Sequence, residues 1–194
     1  MRMAARSAMT ALLFAVAGCG TSPPVTFFTL AAEPRTAGAP TAVSAFSVVV
    51  GPVTVPELVD RPQLVLRTSS TQVQVLEQAR WAASLKSEIP RVIAADLSRL
   101  LPEAKTATSS QRAVTPPEYR VLVDVQRFDS APDSATIEAA WTVRSPDGTV
   151  VAGRSMASER TGPGYDSLVA AHGRALTAVS ADIAAAIAKL RIGG

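Results

Sequence analysis

Few residues in this chain can do chemistry. It has 194 residues, with one cysteine, Cys19, and one histidine, His172. A thiolate is the strongest nucleophile a side chain offers, and an imidazole is the usual general base. Here the two lie far apart in sequence. One cysteine excludes an intramolecular disulfide, and the pair excludes a zinc site built from Cys and His alone. His172 has Asp166 and Ser167 nearby in sequence, but a separation of six residues sets Asp166 and His172 on different helix faces. His172 falls on an apolar stripe and reads as a packed residue. Glu57 and Asp60 form a loop carboxylate pair without a histidine. Asp124 and Glu138 alternate with valine and tryptophan rows and read as solvated. The sequence holds no Gly-x-Ser-x-Gly elbow, P-loop or dinucleotide fingerprint. Gly162-Pro163-Gly164 reads as a turn. The expectation is a non-enzyme with no metal and no cofactor beyond a covalent lipid.

That lipid is expected on Cys19. Arg2 and Arg6 open a basic start, and Ser7 to Ala17 is uncharged, with Met9, Leu12, Leu13, Phe14 and Val16 as its apolar weight. This is the pattern of a secretory signal. It is shorter than the roughly 20 apolar residues a membrane-spanning helix needs. The ending Val16-Ala17-Gly18-Cys19 resembles the bacterial lipobox, in which the thiol takes a diacylglycerol and the new amino terminus is acylated. Several chains, at about 0.8 kcal/mol per buried CH₂, hold a protein firmly to a bilayer. Gly20, rather than Asp, follows the cysteine. By the sorting rule of proteobacterial lipoproteins, this directs the protein to the outer membrane.

Removing the signal changes the charge. The full chain has net charge +3, and losing Arg2 and Arg6 leaves 17 basic against 16 acidic residues, about +1. The basic side chains are dispersed and only nine aromatics are present, so nucleic acid is not an expected partner.

The elements that would position these residues follow from periodicity. Residues 1–18 form the signal. Residues 19–44 form a Pro-, Thr- and Ala-rich tether with one extended piece, Phe27-Phe28-Thr29-Leu30. Residues 45–194 form the domain. Strands are expected at 45–50 (extending irregularly to Val55), 63–68, 72–76, 119–128, 135–144 and 149–157. Pro56 to Pro62 is a loop. Ser145-Pro146-Asp147-Gly148 fits a type I turn. Trp81, Leu85, Ile89, Ile93 and Leu97 suggest one helical stripe. Pro90 places that helix at 88–101 behind a Ser87 cap, with Ser84 as the alternative. Residues 103–117 read as a long surface loop, and 165–190 as a second helix. The fold class is α+β, an antiparallel sheet with two helices packed on one face. The small-residue face of the last helix (Ala170, Ala181, Ala184, Ala185, Ala188) would permit close packing.

Three stretches carry a family resemblance. They are Phe27-Phe28-Thr29-Leu30 soon after the cysteine, Val53-Thr54-Val55-Pro56-Glu57-Leu58-Val59-Asp60-Arg61-Pro62-Gln63-Leu64-Val65, and Arg80-Trp81-Ala82. Together they resemble the ABC-type transport auxiliary lipoprotein family, which includes the lipoprotein of the paraquat-inducible (Pqi) intermembrane system. Phe27-Phe28 stands where Tyr-Tyr is common, and Ser84 where Pro is frequent. The resemblance implies a periplasmic lipoprotein anchored in the outer membrane. It also implies an inner-membrane partner with mammalian-cell-entry (MCE) domains, in some systems an ABC transporter, and phospholipid as the cargo. A homo-oligomer, even a ring, is implied too. The polar, proline-bounded loop with Glu57, Asp60, Arg61, Pro62 and Gln63 is the expected docking element. The alternative function is a structural or assembly lipoprotein of the outer membrane, unrelated to lipid flux.

Overall fold

The computed structural model describes residues 23–32, 46–111 and 119–192. Val16, Ala17, Gly18, Cys19 and Gly20 lie outside them, as do the first domain residue, Ala45, and much of the 103–117 stretch. The elements run β1 (Thr26–Phe28), β2 (Phe46–Thr54), a 3₁₀ turn (Glu57–Val59), β3 (Gln63–Arg67), β4 (Val73–Trp81), α1 (Leu85–Leu100), β5 (Ala104–Thr108), β6 (Tyr119–Ser130), β7 (Ser134–Arg144), β8 (Val150–Arg160) and α2 (Tyr165–Ile192).

These strands form two sheets, of order β1-β4-β3 and β5-β2-β6-β7-β8. The fold is α+β as expected, but the sheets are mixed rather than antiparallel. β2 runs parallel to both β5 and β6, and β1 runs parallel to β4. The hairpins β3–β4, β6–β7 and β7–β8 are antiparallel. The β2–β5 pair is parallel because α1 returns the chain across the sheet between β4 and β5, as a crossover connection must.

The half-buried hairpins follow the alternation of their sequences. Val121, Val123 and Val125 on β6, and Ile137, Ala139, Trp141 and Val143 on β7, face the helices and are buried. Arg120, Leu122 and Asp124 face solvent. Both helices therefore cover one face. Ile89, Ile93 and Leu97 of α1 meet Val48 and Val50 of β2, and Leu176, Val179, Ile183 and Ile187 of α2 complete the same core. At the β7–β8 turn, Gly148 adopts φ 91° and donates its amide to the Ser145 carbonyl at 3.1 Å, as the sequence predicts.

Three expectations need correction. Helix α1 starts at Leu85 behind Ser84, one turn before the preferred Ser87 cap. Pro90 is thus the sixth helical residue, and the Lys86 carbonyl lacks its amide partner. Burial of Leu85, only 2% exposed, fixes the earlier start. Trp81 belongs to the end of β4 rather than to the helix stripe, and it is buried there. Residues 104–108 form a strand, β5, where a loop was expected, because register with β2 from Phe46↔Ala104 to Val50↔Thr108 holds it in place.

Candidate functional site

The three resembling stretches lie far apart in sequence but meet at one end of the small sheet. Phe27 pairs with Arg80 and Phe28 with Trp81, while Gln63 pairs with Arg80 from the other side. Phe27, Arg80 and Gln63 therefore sit abreast on three strands, each about 4.8 Å from the next. The chain is stitched there by two short bonds. Trp81 donates its amide to the Pro62 carbonyl at 2.7 Å, and Ala82 donates to the Phe28 carbonyl at 2.7 Å.

The inward side chains explain the motif residues. Phe28 packs edge-on to Tyr165, with ring centres 6.3 Å apart. Trp81 packs edge-on to Phe128 at 6.0 Å. Leu30 is fully buried. Glu88, a buried carboxylate in the first turns of α1, holds this segment down. Its Oε2 accepts from the Leu30 amide at 2.9 Å, from Thr29 Oγ1 at 2.7 Å and from Arg91 at 2.7 Å. Arg91 donates in turn to the Leu30 carbonyl at 2.7 Å. A buried charge needs this degree of satisfaction. Reading the sequence missed Glu88 and Arg91. The available signal was an acid set between Leu85 and Val92 on an apolar stripe, with a base three residues on.

The expected docking loop is a rigid turn. After Pro56, the Val59 amide bonds back to the Pro56 carbonyl at 3.0 Å, and Val59 is buried. Asp60 pairs with Lys86 of α1 at 2.6 Å, and Gln63 Nε2 donates to Glu77 at 3.3 Å. Asp60 and Gln63 thus hold the loop in shape. Glu57, Arg61 and Pro62 are exposed, and among the described residues neither the Glu57 nor the Arg61 side chain has a hydrogen bond or ion pair. The structure brings the five docking residues together but divides them between support and presentation.

The other candidates do not form a reactive centre. His172 is fully buried, stacked on Phe128 with ring centres 4.0 Å apart, and its Nε2 lies 2.9 Å from Ser130 Oγ. Burial pushes its pKa down to about 3, against the pull of Asp129. Ser167 instead accepts from the Gly162 amide at 2.5 Å. Asp129 sits between Arg67 at 2.8 Å and Arg127 at 2.6 Å. Burial works against its charge, but the hydrogen bonds and charges of both arginines outweigh it and hold the carboxyl below its usual range. The Arg67 contact ties β3 to β6, and Arg127 lies on β6 beside Asp129. Among the described residues, no group of three His, Cys, Asp or Glu side chains could hold a metal ion.

A cavity of about 1210 Å³ opens between the C-terminal half of α2 and the β7–β8 hairpin. Trp141, Val151, Gly153 and Ala185 are among its lining residues, with Asp182 and Lys189. Asp182 is tied to the wall by Ser155, which also accepts from the Trp141 indole at 2.9 Å.

The sequence pattern of one protein family, the ABC-type transport auxiliary lipoprotein component, matches residues 28–184. The chain belongs to this family. The match begins at Phe28, where the docked strand enters the core, and ends within α2. No functionally curated protein matches this family member in sequence. Two crystal structures share its fold. One, of an uncharacterized protein, has a TM-score of 0.71 and 22% identity, covering 85% of this chain and 99% of that one. The other, of a protein from Xanthomonas campestris, has a TM-score of 0.64 and 18% identity, covering 82% and 93%. Among the described residues of this auxiliary lipoprotein, no helix is long and apolar enough to cross a membrane.

Proposed function

We propose that the protein is a periplasmic lipoprotein of the outer membrane that serves, without catalysis of its own, as the auxiliary component of an intermembrane phospholipid-transport system. Cys19, after the Val16-Ala17-Gly18 lipobox, carries the acyl anchor. The rigid Glu57–Gln63 element docks an inner-membrane partner with MCE domains, which an ABC transporter serves in some systems. Several copies of the chain assemble around that partner. The observation that carries this reading is the convergence of the three stretches at one end of the small sheet. Asp60 and Gln63 fix the loop there, and Glu57 and Arg61 are left free to meet another protein. A free arginine on a pre-ordered loop is a common anchor of protein interfaces, because little entropy is lost on binding.

The test is a photo-crosslinking residue at position 61 in intact cells, followed by identification of the captured protein. An MCE-domain protein is expected. Capture of only a β-barrel or a peptidoglycan-bound protein overturns the reading in favour of an assembly role. For the anchor, Cys19→Ala is expected to release the protein from the membrane fraction.

A further inference from the structure

Among the described residues, strand β1 is one edge of the small sheet and pairs with β4 alone. One face of this segment is apolar and open, with Val25, just before the strand, 39% exposed and Phe27 64%, while Thr26 is exposed on the other. An exposed apolar edge normally invites a further strand, and proteins block it with prolines or charge. Pro23 and Pro24 stand just ahead of the strand, and neither has an amide proton with which to extend pairing there. The edge thus discourages strand pairing yet leaves an aromatic ring in the open. A surface that takes apolar side chains and needs no backbone bonds fits this combination. A bilayer is such a surface, and aromatic rings settle at its headgroup level.

The chain length points the same way. Val25 lies six residues after Cys19. At most about 3.6 Å per residue, Val25 stays within about 22 Å of the cysteine by any path. A domain of this size has a radius of gyration of about 15 Å, so its diameter exceeds that reach. Beyond Val25 there is no slack. Pairing with β4, the Phe28–Ala82 bond and the Glu88–Arg91 clamp fasten residues 26–30 to the body. A tether of about 25 flexible residues, as the sequence alone suggests, would let the domain turn freely. The docked strand shortens the free length to a few residues.

We infer that the β1 edge, presenting Val25 and Phe27, seats in the headgroup layer of the bilayer that holds the anchor. The occupant of this face is a phospholipid surface. The inference rests on the lipidation of Cys19 proposed above. It deepens that reading by giving the domain a fixed orientation. The Glu57–Pro62 loop leads into β3 across β4 from β1, at the same end of the small sheet, so a docking partner meets it beside the membrane rather than far out in the periplasm.

The test uses the mature, lipidated protein in phosphatidylethanolamine–phosphatidylglycerol vesicles. Acylation consumes the native thiol, so Phe27→Cys, Val25→Cys and Met156→Cys each offer one site for a nitroxide label. Met156 on β8 is 66% exposed and serves as the solvent reference. Each variant is first checked for an unchanged thermal unfolding midpoint. The ratio of oxygen to nickel-chelate accessibility is expected to be several-fold higher at positions 25 and 27 than at 156. If the protein floats with vesicles but position 27 is as accessible to nickel as position 156, the contact face is wrong and the anchor stands. Dipolar broadening between labels at 27 would show a second copy on this edge and overturn the lipid contact. If the protein does not float, the anchor fails and the contact falls with it.

Discussion

Glu88 and Leu30 are joined across 58 residues by a buried hydrogen bond of 2.9 Å from the Leu30 amide to the Glu88 carboxylate. The bond decides where the N-terminal strand segment meets the body. A buried amide left without its acceptor costs about 1–3 kcal/mol, and here Arg91 would also lose its carboxylate. Glu88→Ala is therefore expected to lower stability by about 3 kcal/mol in urea titration. Its signature is local as well. Amide exchange at Leu30 and Ala82 should accelerate far more than at Ile137. Equal acceleration throughout would show that Glu88 supports the whole core rather than the docked strand.

The indole of Trp141 lies against Gly153 on the neighbouring strand. A Cβ at position 153 would come within 2.2 Å of the ring. The indole is also held by its bond to Ser155, itself tied to Asp182 of α2. Gly153→Ala must push the ring off this seat, at a cost of about 1–3 kcal/mol. Near-ultraviolet circular dichroism should report the displacement through the loss of tryptophan fine structure.

Acid should destabilise the fold through His172. Its folded pKa is about 3 against an ordinary 6.5, because burial excludes the charged form. The unfolded chain takes up its proton near pH 6.5 and the folded chain does not, so stability falls as pH drops through that window. At 1.36 kcal/mol per unit, the full loss is on the order of 5 kcal/mol. The group facing the ring is Asp129, whose lowered folded pKa preserves its stabilising charge until the pH falls below the ordinary carboxylate range. Asp96 acts in the opposite sense. Burial raises its pKa against Thr177, Ser180 and Arg99, so it costs stability as pH rises through that range. His172→Gln should flatten the stability profile between pH 6.5 and about 4, as read by denaturant midpoints in a pH series. A slope unchanged by the substitution would assign the acid sensitivity elsewhere.

What the sequence reveals of this fold depends on how local each cause is. Strands β6, β7 and β8 are legible because one half-buried face imposes a two-residue period on their own residues. Strand β5 is not. Ala-Lys-Thr-Ala-Thr has no apolar alternation, and only its place beside β2 makes it a strand. Trp81 misleads for a geometric reason: it precedes Leu85 by four residues, the spacing of a helix face, although a turn separates them. In β4, Leu76 and Ala79 are both buried because a register shift interrupts the alternation. At the candidate site, the loop was visible through its prolines and charges. Its convergence with Phe27 and Arg80 was not, since no local pattern encodes parallel pairing across some fifty residues.

The proposed docking loop makes a sharper prediction, because its residues divide by role. Asp60 and Lys86 form a half-exposed ion pair, and such pairs contribute about 0–1 kcal/mol. Asp60→Asn should therefore leave unfolding within about 1 kcal/mol of the parent while loosening the turn. Arg61 has no side-chain partner among the described residues, so Arg61→Glu should change stability by no more than about 0.5 kcal/mol. Its effect belongs to association. Reversing a charge at an interface costs binding through both the lost donor and the new repulsion. In intact cells, Arg61→Glu should reduce crosslinking from a probe at position 57 to the partner, with protein level and membrane fractionation unchanged. Crosslinking at parental yield would place the contact away from this loop.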